Sequence, residues 1–144
     1  MASKVYGNAI KAAFNKEVDW DTDTIKVMLL SSAYTPNQDS HDYLDDVVAN
    51  EVTGTGYTSG GAALTSKTAT YDAATNTVKF DAADVTWAGS TITARYAVVY
   101  DDSGATNAQK ALIAYFDFTT DRASSNGDFV IRWGADGVFS ATAA

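Results

Sequence analysis

Residues Ile92-Thr93-Ala94-Arg95-Tyr96-Ala97-Val98-Val99-Tyr100 decide the fold class. Ile92, Ala94, Tyr96, Val98 and Tyr100 alternate with Thr93, Arg95, Ala97 and Val99, a two-residue period that belongs to a strand and not to a helix. Asp101-Asp102-Ser103-Gly104 ends the run. Upstream, Ala88-Gly89-Ser90 reads as a turn that separates it from Val85-Thr86-Trp87. Downstream, Leu112, Ala114, Phe116 and Phe118 alternate with Ile113, Tyr115 and Asp117. Residues 67–71 and 77–80 flank the turn Asp72-Ala73-Ala74-Thr75-Asn76 as a hairpin. A second hairpin is expected at the C-terminal end, with Phe129-Val130-Ile131-Arg132-Trp133 and Val138-Phe139-Ser140 joined at Gly134-Ala135-Asp136-Gly137. Residues 24–32 form a further strand in which Ile25, Val27, Met28, Leu29 and Leu30 leave little polar face, so it is expected to be central and covered on both sides. Seven or eight strands at hairpin spacing predict a mainly β fold, an antiparallel β-sandwich or a barrel-like domain.

One helix is expected before the strands. Ser3 is placed to cap it, and Val5/Tyr6, Ala9/Ile10 and Ala13/Phe14 recur on one face up to about Lys16. That face is a candidate cover for the 24–32 strand. Val18 to Asp23 then breaks the helix, because Asp and Thr compete for backbone hydrogen bonds. Pro36 fixes an irregular turn, a short helix is expected over 41–47, and 51–64 reads as a Gly-rich extended loop.

The 144 residues fit a single domain, 1–144. The absence of Cys argues against a disulfide-stapled scaffold and fits assembly in a reducing cytoplasm. The net charge of −8, with basic residues scattered along the chain, makes nucleic acid an unsuitable partner, since phosphate neutralisation needs a basic stripe. The longest apolar run, Val27 to Leu30, is far short of a membrane span, and the N-terminal residues lack the apolar core of a signal peptide. A soluble protein with no membrane partner is expected.

Residues arranged for chemistry are sparse. Gly54, Gly56, Gly60 and Gly61 lack the Lys-Ser/Thr of a phosphate-binding loop and precede strand, not helix; glycine there permits close packing against the sheet or a neighbour. Asp19, Asp21 and Asp23 copy the opening of a calcium loop, but Thr24 and Leu30 occupy the positions of its glycine and bidentate glutamate. The alternatives are an irregular Ca²⁺ site and carboxylates that solvate a turn. His41, the one histidine, excludes multi-His metal sites and has no G-x-S-x-G nucleophile near it. It is expected on an exposed loop or helix surface, or, with Asp45 on the same helical face, as part of a weak cation site. No catalytic residue, cofactor or metal is assigned. Strand aromatics such as Tyr96, Tyr100, Phe116, Phe129 and Trp133 are expected in the core, with Trp87 and Trp133 capping it at sheet ends.

The stretches GTGYTSGGAAL, WAGSTITARYAVVYDD and IRWGADGVFSATA give the chain its texture, and in them it resembles small virion structural proteins of tailed bacteriophages: head decoration, head-fibre or minor tail components. The resemblance implies a non-enzymatic protein of the virion, made in the host cytoplasm, acting in many copies on the major capsid protein or other virion subunits and forming a homo-oligomer. A capsid-exterior decoration or head-fibre-base role leads, a tail-associated fibre or baseplate component follows, and a carbohydrate-binding module comes third. Tyr34, Tyr43, Leu44 and Tyr57 lie in segments too irregular for a sheet interior and are the expected subunit interface within 33–64.

Overall fold

The computed structural model describes residues 3–144. In chain order the elements are β1 (Ser3–Val5), α1 (Gly7–Phe14), β2 (Ile25–Leu30), β3 (Ala62–Ala63), β4 (Thr68–Asp72), β5 (Thr77–Asp81), β6 (Val85–Ser90), β7 (Thr93–Asp101), β8 (Leu112–Ala123), β9 (Gly127–Ile131) and β10 (Phe139–Thr142). Three short 3₁₀ turns, Leu44–Asp46, Val48–Asn50 and Asn107–Gln109, lie in the connections. The strands form a five-stranded sheet in the order β1-β8-β7-β2-β3, a three-stranded sheet β10-β5-β4 and a pair β6-β9, every ladder antiparallel. The sheets pack as a sandwich without closing into a barrel.

The five-stranded sheet is covered on both faces, as the composition of residues 24–32 required. Ile25, Val27 and Leu29 face the sandwich interior with Ala97, Val99, Trp87 and Phe129. Met28 and Leu30 point the other way, into a second core with Tyr6, Tyr34, Leu44 and Val47. Each such aliphatic side chain contributes about 1.5–3 kcal/mol when withdrawn from water. The second face is closed mainly by the irregular segment after β2, while α1 lies against β8.

The alternation that announced β7 changes face part-way. Ile92 and Ala94 belong to the sandwich interior, but Tyr96, Val98 and Tyr100 belong to the second core. The change falls at an irregularity in the β7–β8 register: Ala94 pairs with Arg122 and Tyr96 with Asp117, so two steps on β7 face five on β8, the extra residues lie in β8, and β7 changes face across Arg95. A second shift between Val99 and Tyr100 puts Ile113 and Ala114 on the same side of β8.

Several expectations are corrected. Ser3 does not cap a helix: Ser3–Val5 pairs with Phe116, Tyr115 and Ala114, and the helix begins at Gly7. It ends at Phe14 in a Schellman motif, Glu17 N–H donating to Ala12 O and Lys16 N–H to Ala13 O, with Lys16 at φ 62°. The 41–47 helix reduces to 3₁₀ turns that exclude His41. Ala88-Gly89-Ser90 is no turn; β6 runs through it with a bulge, Gly89 taking φ 58°. The chain does turn at Gly134–Gly137, but the flanking strands separate, β9 pairing with β6 and β10 with β5. Gly137 permits this because a Cβ there would strike the Phe80 carbonyl, which instead accepts from Val138 N–H at 2.8 Å.

Trp20 pins the three-stranded sheet to the body, its ring edge-on to Phe80 and Phe139 and its indole N–H donating to Thr68 O at 3.0 Å. Trp87 is buried against Phe129 and Tyr57, whereas Trp133 is half-buried beside Phe116 and donates to Ala83 O. Trp87→Ala is therefore expected to cost about 3–5 kcal/mol and Trp133→Ala clearly less, about 1–2 kcal/mol. Urea midpoints of the two variants check the order; equal losses would mean that Trp133 is as deeply packed as Trp87.

Candidate functional site

Two of the four expected interface residues lie inside the molecule and two are half-buried. Tyr34 is 2% exposed and Leu44 3% exposed, both in the second core. The Tyr34 hydroxyl sits between the Tyr6 hydroxyl at 2.8 Å and His41 Nδ1 at 3.0 Å, and its ring stands edge-on to Tyr96. Burial pushes the Tyr34 phenol up to about 12, and Tyr6 higher still. The Tyr57 hydroxyl donates to Glu51 at 2.8 Å and accepts Leu29 N–H at 3.1 Å, its ring packed on Trp87. Tyr43 is half-buried and donates to Glu17 at 2.7 Å. The expectation of an exposed patch over Tyr34, Tyr43, Leu44 and Tyr57 is thus corrected. Irregular backbone does not mean exposure here, because the five-stranded sheet needs this segment as its second cover.

The glycine run serves the same end. A Cβ on Gly54 would overlap the Thr91 carbonyl, and one on Gly61, at φ 80°, the Val27 carbonyl. The loop can lie this close to β2 and to Thr91 only without side chains at those two points. His41, expected on the surface, is half-buried and held by Tyr34, and it lies outside the turn that carries Asp45.

The aspartate turn is also committed locally. Asp19 Oδ1 accepts the amides of Asp21 and Thr22, and Asp23 Oδ2 accepts that of Asp19. Hydrogen bonds from Thr22 hold the Asp19 carboxyl below its ordinary range. Among the described residues no three His or acidic side chains converge on a metal position.

Among the described residues, the large apolar side chains that are exposed are Ile10, Phe14 and Tyr71, at 59%, 87% and 58%. Ile10 and Phe14 stand on α1 at the rim of a groove of about 500 Å³ whose floor includes Val18, Trp20, Phe80 and Phe139. Tyr71 belongs to the three-stranded sheet, whose two faces differ completely in polarity. Pairing places Ala69 beside Phe80 and Phe139, and Tyr71 beside Val78 and Ala141, so all six share the inner face. The outer face carries Thr, Asp, Lys and Ser alone. Trp20 covers the inner face only at Phe80 and Phe139, leaving Ala69, Tyr71 and Ala141 exposed. A strand with one wholly apolar face is built to be covered. The period-two pattern of residues 68–72, 77–81 and 139–142 carried this signal, but it could not say that the cover would be incomplete.

Against protein-family models, curated proteins and solved structures, the chain has no match.

One buried group is left over. Asp101, at the end of β7, is 1% exposed; Oδ1 accepts Ser103 N–H at 2.8 Å and Oδ2 has no partner. Burial, with the Asp23 carboxylate against it, raises its pKa to about 6. The folded protein therefore holds this proton more tightly than the unfolded chain. The associated stability is complete below the ordinary aspartate range and is lost as pH rises through about 6. Asp101→Asn should raise stability at pH 7 by about 1–3 kcal/mol and flatten the slope between pH 4 and 7. Urea midpoints against pH test this; a variant weaker than wild type at pH 7 would mean that the ionised carboxylate is needed.

Proposed function

We propose that the chain is a non-enzymatic structural subunit of a tailed-bacteriophage virion, acting as a capsid-exterior decoration or head-fibre-base protein on the major capsid protein or its neighbours. The observation that carries this reading is the uncovered apolar face built by Ile10, Phe14 and the inner side of the β4-β5-β10 sheet. A face of that kind is an assembly surface, rigid because it stands on a helix and a sheet. The likeness of GTGYTSGGAAL, WAGSTITARYAVVYDD and IRWGADGVFSATA to small virion proteins supports the same assignment.

The mechanism is linkage. A subunit that binds the assembled shell and not its separated parts stabilises the shell by its binding free energy, and the effect repeats at every lattice position. Apolar burial supplies the affinity, and the largely acidic remainder of the surface favours solubility before assembly. Quantitative protein composition of purified particles tests the proposal. A copy number in proportion to the major capsid protein is expected, with density for the chain on the outer shell in cryo-electron micrographs. A few copies per particle would move it to the tail, and absence from particles would overturn the assignment.

A further inference from the structure

We infer that the uncovered face is an interface between two copies of this chain, related by a two-fold axis, in which the α1 ridge of each copy covers the inner β4-β5-β10 face of the other. The pairing belongs to the free chain; on a shell the same face would exchange the second copy for the capsid partner, so absence from particles would overturn the function and leave the dimer standing.

Three observations lead there. The face has two unlike halves side by side, a ridge made by Ile10 and Phe14 and a flat apolar strip made by Ala69, Tyr71, Val78 and Ala141. A two-fold axis brings the ridge of each copy onto the strip of the other, the reciprocal pairing that isologous dimers use. Both halves meet at the same groove, which Phe139, Ala141, Ile10 and Phe14 line together, so one contact surface closes both.

Charge selects the partner. Lys4, Lys11 and Lys16 are the charged side chains up to residue 16, a net of +3, whereas the rest of the chain sets seven Lys and Arg against all 18 acids, a net of −11. A ridge borne by the basic segment is drawn to an acidic body, and a second copy offers one together with the matching apolar strip.

Sedimentation equilibrium of the full chain decides the matter. Twice the 15.2 kDa chain mass is expected at concentrations up to about 100 μM, with weaker association as salt screens the basic ridge. Phe14→Glu and Tyr71→Lys, at exposed positions where the fold tolerates change, should each weaken dimerisation by at least about tenfold while the circular dichroism stays that of wild type. Because the chain has no cysteine, Phe14→Cys and Tyr71→Cys proteins can be mixed and oxidised. The cross-linked species should be the mixed pair in preference to either like pair. A monomer throughout the concentration range, a dimer indifferent to both charged substitutions, or like-with-like cross-linking would each overturn the proposal.

Discussion

The constraint on which the rest of the structure depends is that β2 and β7 are apolar toward both of their faces. A sheet of this kind cannot leave one side to water, so the chain must supply two covers from 144 residues. The β6-β9 pair and the β4-β5-β10 sheet form one cover. The other has no regular sheet to draw on and is made from Tyr6, Tyr34, Leu44 and Val47 on irregular backbone. The shift at Arg95 follows from the same demand, since Ile92 and Ala94 are needed on the sandwich side and Tyr96, Val98 and Tyr100 on the other.

Irregular backbone over a sheet brings polar groups with it, and these are met by a few carboxylates. Glu51 accepts Gly60 N–H at 2.6 Å and the hydroxyls of Tyr57 and Ser59 at 2.8 and 3.1 Å, tying the Gly-rich loop down. Tyr100 donates to Gly60 O at 2.7 Å from the sheet side. Asp102 is partly buried yet held below the ordinary aspartate range by Lys110 and Lys26, each at 2.7 Å, which ties the β7–β8 connection to β2. These contacts turn a loop into a packed layer and commit the Tyr34, Tyr57 and Tyr100 hydroxyls to partners within the chain.

Period-two alternation made the fold class legible, and the hairpin of β4 and β5 was readable for the same reason. Pairing was less so. Nothing in Phe129–Trp133 and Val138–Ser140 says that the strands part after Gly137, because that depends on the Phe80 carbonyl receiving the chain. The interface residues Tyr34, Leu44 and Tyr57 were misplaced because exposure was inferred from the lack of local periodicity, whereas burial here is set by the distant sheet. Ile10 and Phe14 were assigned to the packed face of the helix. Ala9, from that same expected face, and Ala12 are the residues that pack, since small side chains let α1 sit close to β8. The helical period gave one broad stripe, and tertiary structure decided which of its edges packs.

The molecule divides into a sheet sealed on both faces and a smaller sheet sealed at one end. Native-state amide hydrogen exchange on the dilute, monomeric protein measures that division residue by residue. Amides of Val98, Val99 and Leu29 should exchange only through global unfolding, while those of the β4-β5 ladder should open locally, with far lower protection. Equal protection in the two sheets would contradict the account, because the inner face carrying Tyr71 would then need no further cover.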